Sequence, residues 1–271
     1  ALLQLLPRPQ FAVSGSIRFQ GQELLSASKA TLRKIIGTQI ATIFQNPHAS
    51  FNPVFTIEQQ LQEIIRTHLH LSRDAERETL LQALYETGFH QPETCLKLYP
   101  HQLSGGMLQR VGIAMALLCS PKILIADEPT TALDVSIQYQ ILQLLKTLQE
   151  KTGMSLLMIT HNMGVVAEMA DEVAVMYMGN IVEYGPVEKI FTNPSHPYTK
   201  ALLSAIPEPI VNGEKKERKL IKGEITSPVN LPDQCRFLKR CDVCQACCET
   251  GKNPELVEVS PGHFVACHCV K

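Results

Sequence analysis

The stretch Leu103-Ser-Gly-Gly-Met-Leu-Gln-Arg110, followed after a small-residue segment by Lys122-Ile-Leu-Ile-Ala-Asp-Glu-Pro-Thr-Thr-Ala-Leu-Asp134, decides how this chain is read. Lys122 to Ala126 is a short apolar run after the break Ser120-Pro121, the pattern of a strand buried on both faces of a parallel sheet. Two carboxylates, Asp127 and Glu128, stand at its C-terminal end, where open α/β sheets bind ligands. An aspartate there can hold Mg²⁺ through its water shell, and the adjacent glutamate can polarise an attacking water. Upstream, Ser104-Gly105-Gly106 opens a small-residue helix, and the free N–H groups and positive dipole end of a helix suit a phosphate. An acidic pair after a strand is by itself often only a helix cap. The two pieces together, in this order, carry the specificity.

Outward from this centre, Gln39 to Phe44 reads as a second buried strand with Gln45 directly after it. An amide oxygen at a strand end can ligate a metal and swing away when the metal leaves. Residues 57–98 keep a helical period through Ile57, Leu61, Ile64 and Ile65, and again through Leu80, Leu81, Leu84 and Phe89. These apolar residues are expected to be core rather than site. After Asp134 comes an amphipathic helix, Ser136 to Lys151, closed by Gly153. Ser155 to Thr160 reads as a further buried strand ending at His161, then a helix over 162–170 and strands at 172–176 and 181–185 that close the sheet. Near the start, residues 1–6 suit a helix tail, 11–25 a hairpin of an antiparallel lobe, and 28–36 a short helix stopped by Gly37.

Composition sets the outer bounds. Hydrophobic residues make up 45% and charged residues 19% of 271, ordinary for a globular chain, and the net charge of −1 gives no reason to expect nucleic acid as a partner. No apolar stretch reaches a membrane span, and the opening Ala1-Leu-Leu-Gln-Leu-Leu6 is too short for a signal-peptide core. A cytosolic location is expected. Of nine cysteines, seven fall between Cys235 and Cys269, and under reducing conditions such a cluster is read as a metal or cluster site rather than as disulfides. Cys95 and Cys119 sit in helical contexts as core thiols. A charged linker over 213–222 leads into the cysteine tail.

The central motifs resemble the signature motif, Walker B and D-loop of the ABC ATPase family. Gln45-Asn-Pro-His-Ala-Ser-Phe-Asn52-Pro53 is similar to the Q-loop of dipeptide and oligopeptide importer subunits, and Asn193-Pro-Ser-His196-Pro197-Tyr198 to the C-terminal extension of peptide and nickel importer ATPases. The resemblance implies an α/β P-loop NTPase (ABC ATPase) core with an antiparallel β lobe, a helical subdomain and a Cys-rich C-terminal extension. It divides the chain into 1–46 (core and β lobe), 47–118 (helical subdomain ending in the signature), 119–190 (core with Walker B, D-loop and H-loop) and 191–271 (extension).

The implied activity is ATP hydrolysis that powers import of dipeptides or oligopeptides. Glu128, His161 and Gln45 would be catalytic. Ser104, Gly105, Gly106, Gln45, Asp127, Asp134 and His161 would contact the nucleotide, and Asp127 and Gln45 would hold Mg²⁺. The implied partners are a second homologous ATPase subunit, two transmembrane permease subunits and, indirectly, a substrate-binding protein. The implied place is the cytoplasmic face of the membrane, peripherally. Nickel or another small cargo is the alternative within this reading. An ABC ATPase of DNA repair or translation lacks support, since there is no long coiled-coil insertion and no second signature.

Two features stand apart. A P-loop needs Gly-x-x-x-x-Gly-Lys-Ser/Thr so that backbone N–H groups and a lysine wrap the phosphates, and nothing in the 271 residues matches. Alignment with the family puts that motif just before Ala1. Either the sequence is a fragment or a wrong start of an ordinary subunit, or it is a truncated, non-hydrolysing partner that completes another subunit's ATP site. The other feature is the tail. Cys235-x5-Cys241-x6-Cys248-x18-Cys267 has the spacing of a four-cysteine tail in some dipeptide-importer ATPases, and the resemblance implies a [4Fe–4S] cluster there. Cys241-x2-Cys244-x2-Cys247 would equally suit zinc, and a vestigial tail stays open.

Overall fold

The computed structural model describes residues 11–206 and 231–270, together with Leu3, Ile221, Gly223, Glu224 and Val229. The expected helix tail at 1–6 and the linker at 213–222 therefore lie, apart from Leu3 and Ile221, outside the described residues. The chain divides into two compact units, 1–159 and 160–271.

In the first unit, β1 (Arg18–Phe19) and β2 (Gln22–Glu23) pair as an antiparallel hairpin. Its turn is at Gln20-Gly21, both at positive φ. Helix α1 (Lys29–Arg33) is capped by the Ser28 hydroxyl, which accepts from Thr31 N. Then come β3 (Ile40–Ile43), the short α2 (Pro47–Ser50), and helices α3 (Ile57–His68), α4 (Arg73–Glu86) and α5 (Pro92–Leu96). Helix α6 (Gly105–Leu117), β4 (Ile123–Asp127), α7 (Val135–Thr152) and β5 (Ser155–Ile159) complete it.

The helical pattern over 57–98 is thus three helices. Breaks fall where caps compete with propagation: Ser72 caps α4, and Pro92 stands at the first turn of α5. Thr56 and Gln59 form a reciprocal capping box at the start of α3. Ile57, Leu61, Ile65, Leu80, Leu84, Leu96, Leu108 and Val111 close into one cluster. Each such buried aliphatic side chain contributes about 1.5–3 kcal/mol. Cys95 belongs to that cluster, and burial pushes its thiol up to about 11.

Strands β3, β4 and β5 form a parallel sheet in that order, with Ile43 level with Ala126 and Asp127 level with Ile159. Leu124, Ile125 and Ala126 are buried, as the apolar run requires. The reading of β5 as a buried strand needs correction. Among the described residues it is an edge of this sheet, and its alternate side chains Ser155, Leu157 and Ile159 share an exposed face, Leu157 at 52% and Ile159 at 49%, while Leu156 and Met158 on the other face are half-buried.

The second unit holds α8 (Met163–Met169), β6 (Glu172–Tyr177), β7 (Asn180–Pro186), α9 (Val187–Thr192), α10 (Pro197–Ser204), α11 (Ala246–Thr250), β8 (Val257–Ser260) and β9 (His263–Val265). Here the expectation of one closed sheet is also corrected. β6 and β7 pair antiparallel and continue through β9 to β8 in a separate four-stranded sheet. The hairpin of β8 and β9, turned at Pro261-Gly262, is absent from the sequence reading, although the alternation Val257-Glu-Val and the Pro-Gly turn carry its signal.

A buried hydrogen-bond cluster ties the extension to this sheet. Glu183 on β7 is fully buried and accepts from His263 Nε2 on β9 at 2.8 Å, from Ser195 N at 2.7 Å and from His196 N at 3.0 Å. The His-Pro-Tyr segment is therefore held by its backbone. His196 Nδ1 in turn accepts from Tyr198 N and caps α10.

Candidate functional site

The parallel sheet brings its C-terminal ends to one edge, and three of the sequence-named residues arrive there. Asp127 ends β4, Glu128 follows it, and Gln45 lies two residues beyond β3. Gln45 Nε2 donates to Glu128 Oε2 at 2.6 Å, across 83 residues of chain. Thr131 Oγ1 donates to the same oxygen at 2.8 Å. Glu128 N donates to Ile159 O at 2.9 Å, which pins the residue to the end of β5, and its φ of 45° is left-handed backbone that a non-glycine residue adopts at a cost. Strain at a carboxylate held by two side-chain donors fixes where that carboxylate points. Gln45 thus spends an amide N–H on Glu128.

Ser104 is the N-cap of α6, its hydroxyl accepting from Met107 N at 3.3 Å, so Gly105 and Gly106 open the helix as expected. Gly106 also has a packing reason: a Cβ there would stand 2.7 Å from Ile137 Cγ2 on α7. Asp134 caps α7, accepting from Ile137 N at 3.0 Å and Ser136 Oγ at 2.8 Å. The backbone bond to Ile137 and then the Ser136 hydroxyl hold its carboxyl below the usual range. His161 lies two residues past β5 along the chain, is exposed, and precedes Asn162, whose side chain caps α8.

Two residues escaped the sequence reading. Thr131 holds Glu128, and the buried Gln109 donates from Nε2 to Pro129 O at 2.8 Å, tying α6 to the loop after the acidic pair. Gln109 sits inside the signature stretch, so its position was visible, but nothing in one sequence tells which face of α6 it takes.

All nine cysteines of the chain are free thiols, the seven of the tail included. Among the described residues, Cys247, Cys248 and Cys269 form the group whose sulfurs all lie within 4.8 Å of one another, with Cys248 and Cys269 at 3.5 Å. Cys235 and Cys241 pack against the apolar cluster of Val173, Tyr177 and Phe237, and burial raises both thiols, Cys241 to about 11. Of the four cysteines implied by the resemblance, Cys248 alone belongs to the close group.

A parallel α/β sheet with an amide and paired carboxylates at its C-terminal edge, flanked by a glycine-opened helix on a helical subdomain, defines the fold of an ATP-binding cassette. The dimeric ATP-binding cassette MJ0796, solved in a post-hydrolysis state with ADP and Pi, superposes with a TM-score of 0.57 at 27% identity, over 64% of this chain and 74% of that one. The cbiO1 structure from Clostridium perfringens gives 0.57 at 29% identity, over 66% and 69%.

Two family descriptions match: "ABC transporter" over residues 1–131 and "Oligopeptide/dipeptide transporter, C-terminal region" over 182–248. The Bacillus subtilis oligopeptide transport ATP-binding protein AppD is 45% identical, covering 94% of this chain and 77% of its own length. The Escherichia coli dipeptide transport ATP-binding protein DppD is 41% identical, with 99% and 81% covered. The chain belongs to the family of oligopeptide/dipeptide ABC transporter ATP-binding subunits. None of its described helices is long and apolar enough to cross a membrane.

Proposed function

We propose that this chain is the ATP-hydrolysing subunit of an importer for dipeptides or oligopeptides, acting in a pair of ATPase subunits on the cytoplasmic side of two permease subunits. The observation that carries the reading is the Gln45–Glu128–Thr131 constellation at the C-terminal edge of the parallel sheet. Kinship with transport ATP-binding proteins for oligopeptides and dipeptides supports the cargo class.

In this reading Glu128 takes a proton from water as the water oxygen bonds to the γ-phosphorus. The bond from that phosphorus to the β–γ bridging oxygen breaks, giving ADP and phosphate. Thr131 and Gln45 aim the Glu128 carboxylate. Asp127 and the Gln45 amide oxygen would hold Mg²⁺, whose hard-oxygen preference they satisfy and which, when bound, neutralises phosphate charge. Ser104, Gly105 and Gly106 present N–H groups to the nucleotide of the partner ATPase, Asp134 shapes the adjoining loop, and His161 positions the γ-phosphate. Closure and opening of the ATPase pair drive the permeases through Gln45 and its neighbours. No step is drawn through a [4Fe–4S] cluster. Its implied ligands Cys235, Cys241, Cys248 and Cys267 offer suitable soft donors, of which Cys248 also belongs to the group with Cys247 and Cys269 whose sulfurs lie within 4.8 Å of one another.

The test compares ATP turnover by the 271-residue chain alone, with a partner subunit, and with a P-loop segment fused upstream. The chain alone should not turn over, because several charge-assisted hydrogen bonds to phosphate, each about 1.5–3 kcal/mol, have no donors in these residues. The fused chain should hydrolyse ATP with Mg²⁺. Absence of turnover in a folded, fused and partnered chain would overturn the reading.

A further inference from the structure

We propose that Gln109 is a positioning residue for hydrolysis: its amide fixes the backbone next to Glu128 and makes the aim of that carboxylate depend on helix α6. This role rests on the ATPase reading, in which Glu128 is the base and Ser104-Gly105-Gly106 face the nucleotide of the partner subunit. Gln109 is a polar side chain at a position that the fold buries. It is 2% exposed, and Leu108 and Val111 beside it are fully buried. A buried amide costs free energy unless it is hydrogen-bonded, so a glutamine is kept there only with a partner. That partner is a backbone carbonyl: Gln109 Nε2 donates to Pro129 O at 2.8 Å, and Pro129 is itself buried.

What the bond restrains is the peptide that carries Glu128. A residue before proline favours extended backbone, whereas Glu128 has a φ of 45°, so its conformation is imposed by its surroundings. Ala132, four residues on, is left-handed as well at 62°. The loop between them is held by Glu128 N on Ile159 O at 2.9 Å, by Thr131 N on Glu128 O at 3.1 Å and by Thr131 Oγ1 on the carboxylate at 2.8 Å. Gln109 brings α6 into that set. The ring of Pro129 fixes its φ, so a shift of its carbonyl carbon turns the Glu128–Pro129 peptide with it.

Helix α6 can act as the lever because its first turn lies close against the end of the same loop. A Cβ on Gly105 would stand 3.6 Å from Leu133 Cδ2, and one on Gly106 2.7 Å from Ile137 Cγ2. Gln109 is about one turn along α6 from Gly105. A displacement of the first turn, where the partner's nucleotide is met, is carried by a rigid helix to Gln109, then to Pro129 and Glu128. Nucleotide engaged across the dimer thereby aligns the base for the nucleotide held in this subunit.

Two variants separate positioning from packing. Gln109→Met keeps the length of the side chain and removes the donor. Gln109→Glu keeps the shape and donates only when protonated. In the 271-residue chain, amide hydrogen exchange of residues 127–133 should be about 5-fold faster in Gln109→Met, the effect of one lost hydrogen bond, while residues 57–86 keep their protection. In the chain carrying a P-loop, with its partner subunit, Gln109→Met should lower kcat by about 10–10²-fold and leave KM for ATP within about 2-fold, since misplacing a catalytic group by about 1 Å costs that much. Turnover of Gln109→Glu should approach the parent's at low pH and fall toward that of Gln109→Met as pH rises, because only the protonated carboxyl can donate to Pro129 O. A loss through packing would instead lower both variants alike at every pH. Unchanged exchange over 127–133, parental kcat in folded Gln109→Met, or a Gln109→Glu pH profile parallel to the parent's would overturn the proposal and leave the ATPase reading standing. No turnover by the parent pair would overturn the ATPase reading itself, and the role of Gln109 in hydrolysis with it.

Discussion

The His-Pro-Tyr segment should make the second unit acid-sensitive through one imidazole. His196 is 1% exposed, and burial lowers its pKa from 6.5 to about 4, against an opposing pull from the Glu183 carboxylate and with a smaller push from Lys200. The folded state therefore holds His196 neutral while the unfolded chain protonates it at its ordinary value. Stability from this group is fully present above about pH 6.5 and is lost as pH falls toward 4, because the unfolded state binds the extra proton. The whole shift corresponds to about 3 kcal/mol, and the part lost between pH 7 and pH 5 to about 2 kcal/mol.

The assay is urea unfolding at the two pH values, followed by near-ultraviolet circular dichroism. The chain has no tryptophan, and Tyr177 and Tyr198, with ring centroids 4.7 Å apart, report on this region. The control is His196→Asn. An Asn oxygen can replace Nδ1 as acceptor for Tyr198 N, yet it does not titrate. The variant loses the contact with Phe237, centroids 5.8 Å apart, so it starts less stable. Its pH dependence between 7 and 5 should nevertheless be smaller than that of the parent by about 2 kcal/mol. Equal pH dependence in the two proteins would refute the argument, showing that His196 is hydrated or already charged in the folded state.

In a chain carrying a P-loop, Glu128→Gln should retain ATP binding, lower turnover by about 10²–10⁴ and prolong the closed dimer, read by turnover and dimer lifetime together. Gly106→Val should cost about 1–3 kcal/mol by urea unfolding, because even its Cβ would stand 2.7 Å from Ile137 Cγ2. The 271-residue chain alone should aggregate through the open edge at β5, and Leu157→Lys should slow light-scattering growth without altering the far-ultraviolet spectrum.

Much of the first unit was legible because local rules decide it. The apolar run before Asp127 is short and bounded by a turn at Ser120-Pro121, which marks it as a strand, Ser104 and Asp134 are helix caps by chemistry and position, and the 3.6-residue period picked out Ile57, Leu61, Leu80 and Leu84 as core. The family, too, was readable from the motifs alone. What the sequence could not give was any fact that depends on pairing distant residues. The 2.6 Å bond from Gln45 to Glu128 spans 83 residues, and the hold of Gln109 on Pro129 depends on which face of α6 turns inward. The division into two separate sheets depends on which strand edges meet, and strand pairing is set by register and tertiary packing rather than by propensity. The cysteines show the same limit. Spacing offered a set of four and a run of three at once, and only the fold of α11 and the segment after β9 brings the sulfurs of Cys247, Cys248 and Cys269 within 4.8 Å of one another, a grouping that neither contains whole. A sequence records which ligands a chain possesses; their distances follow from chain closure over a fixed backbone, which only the tertiary structure determines.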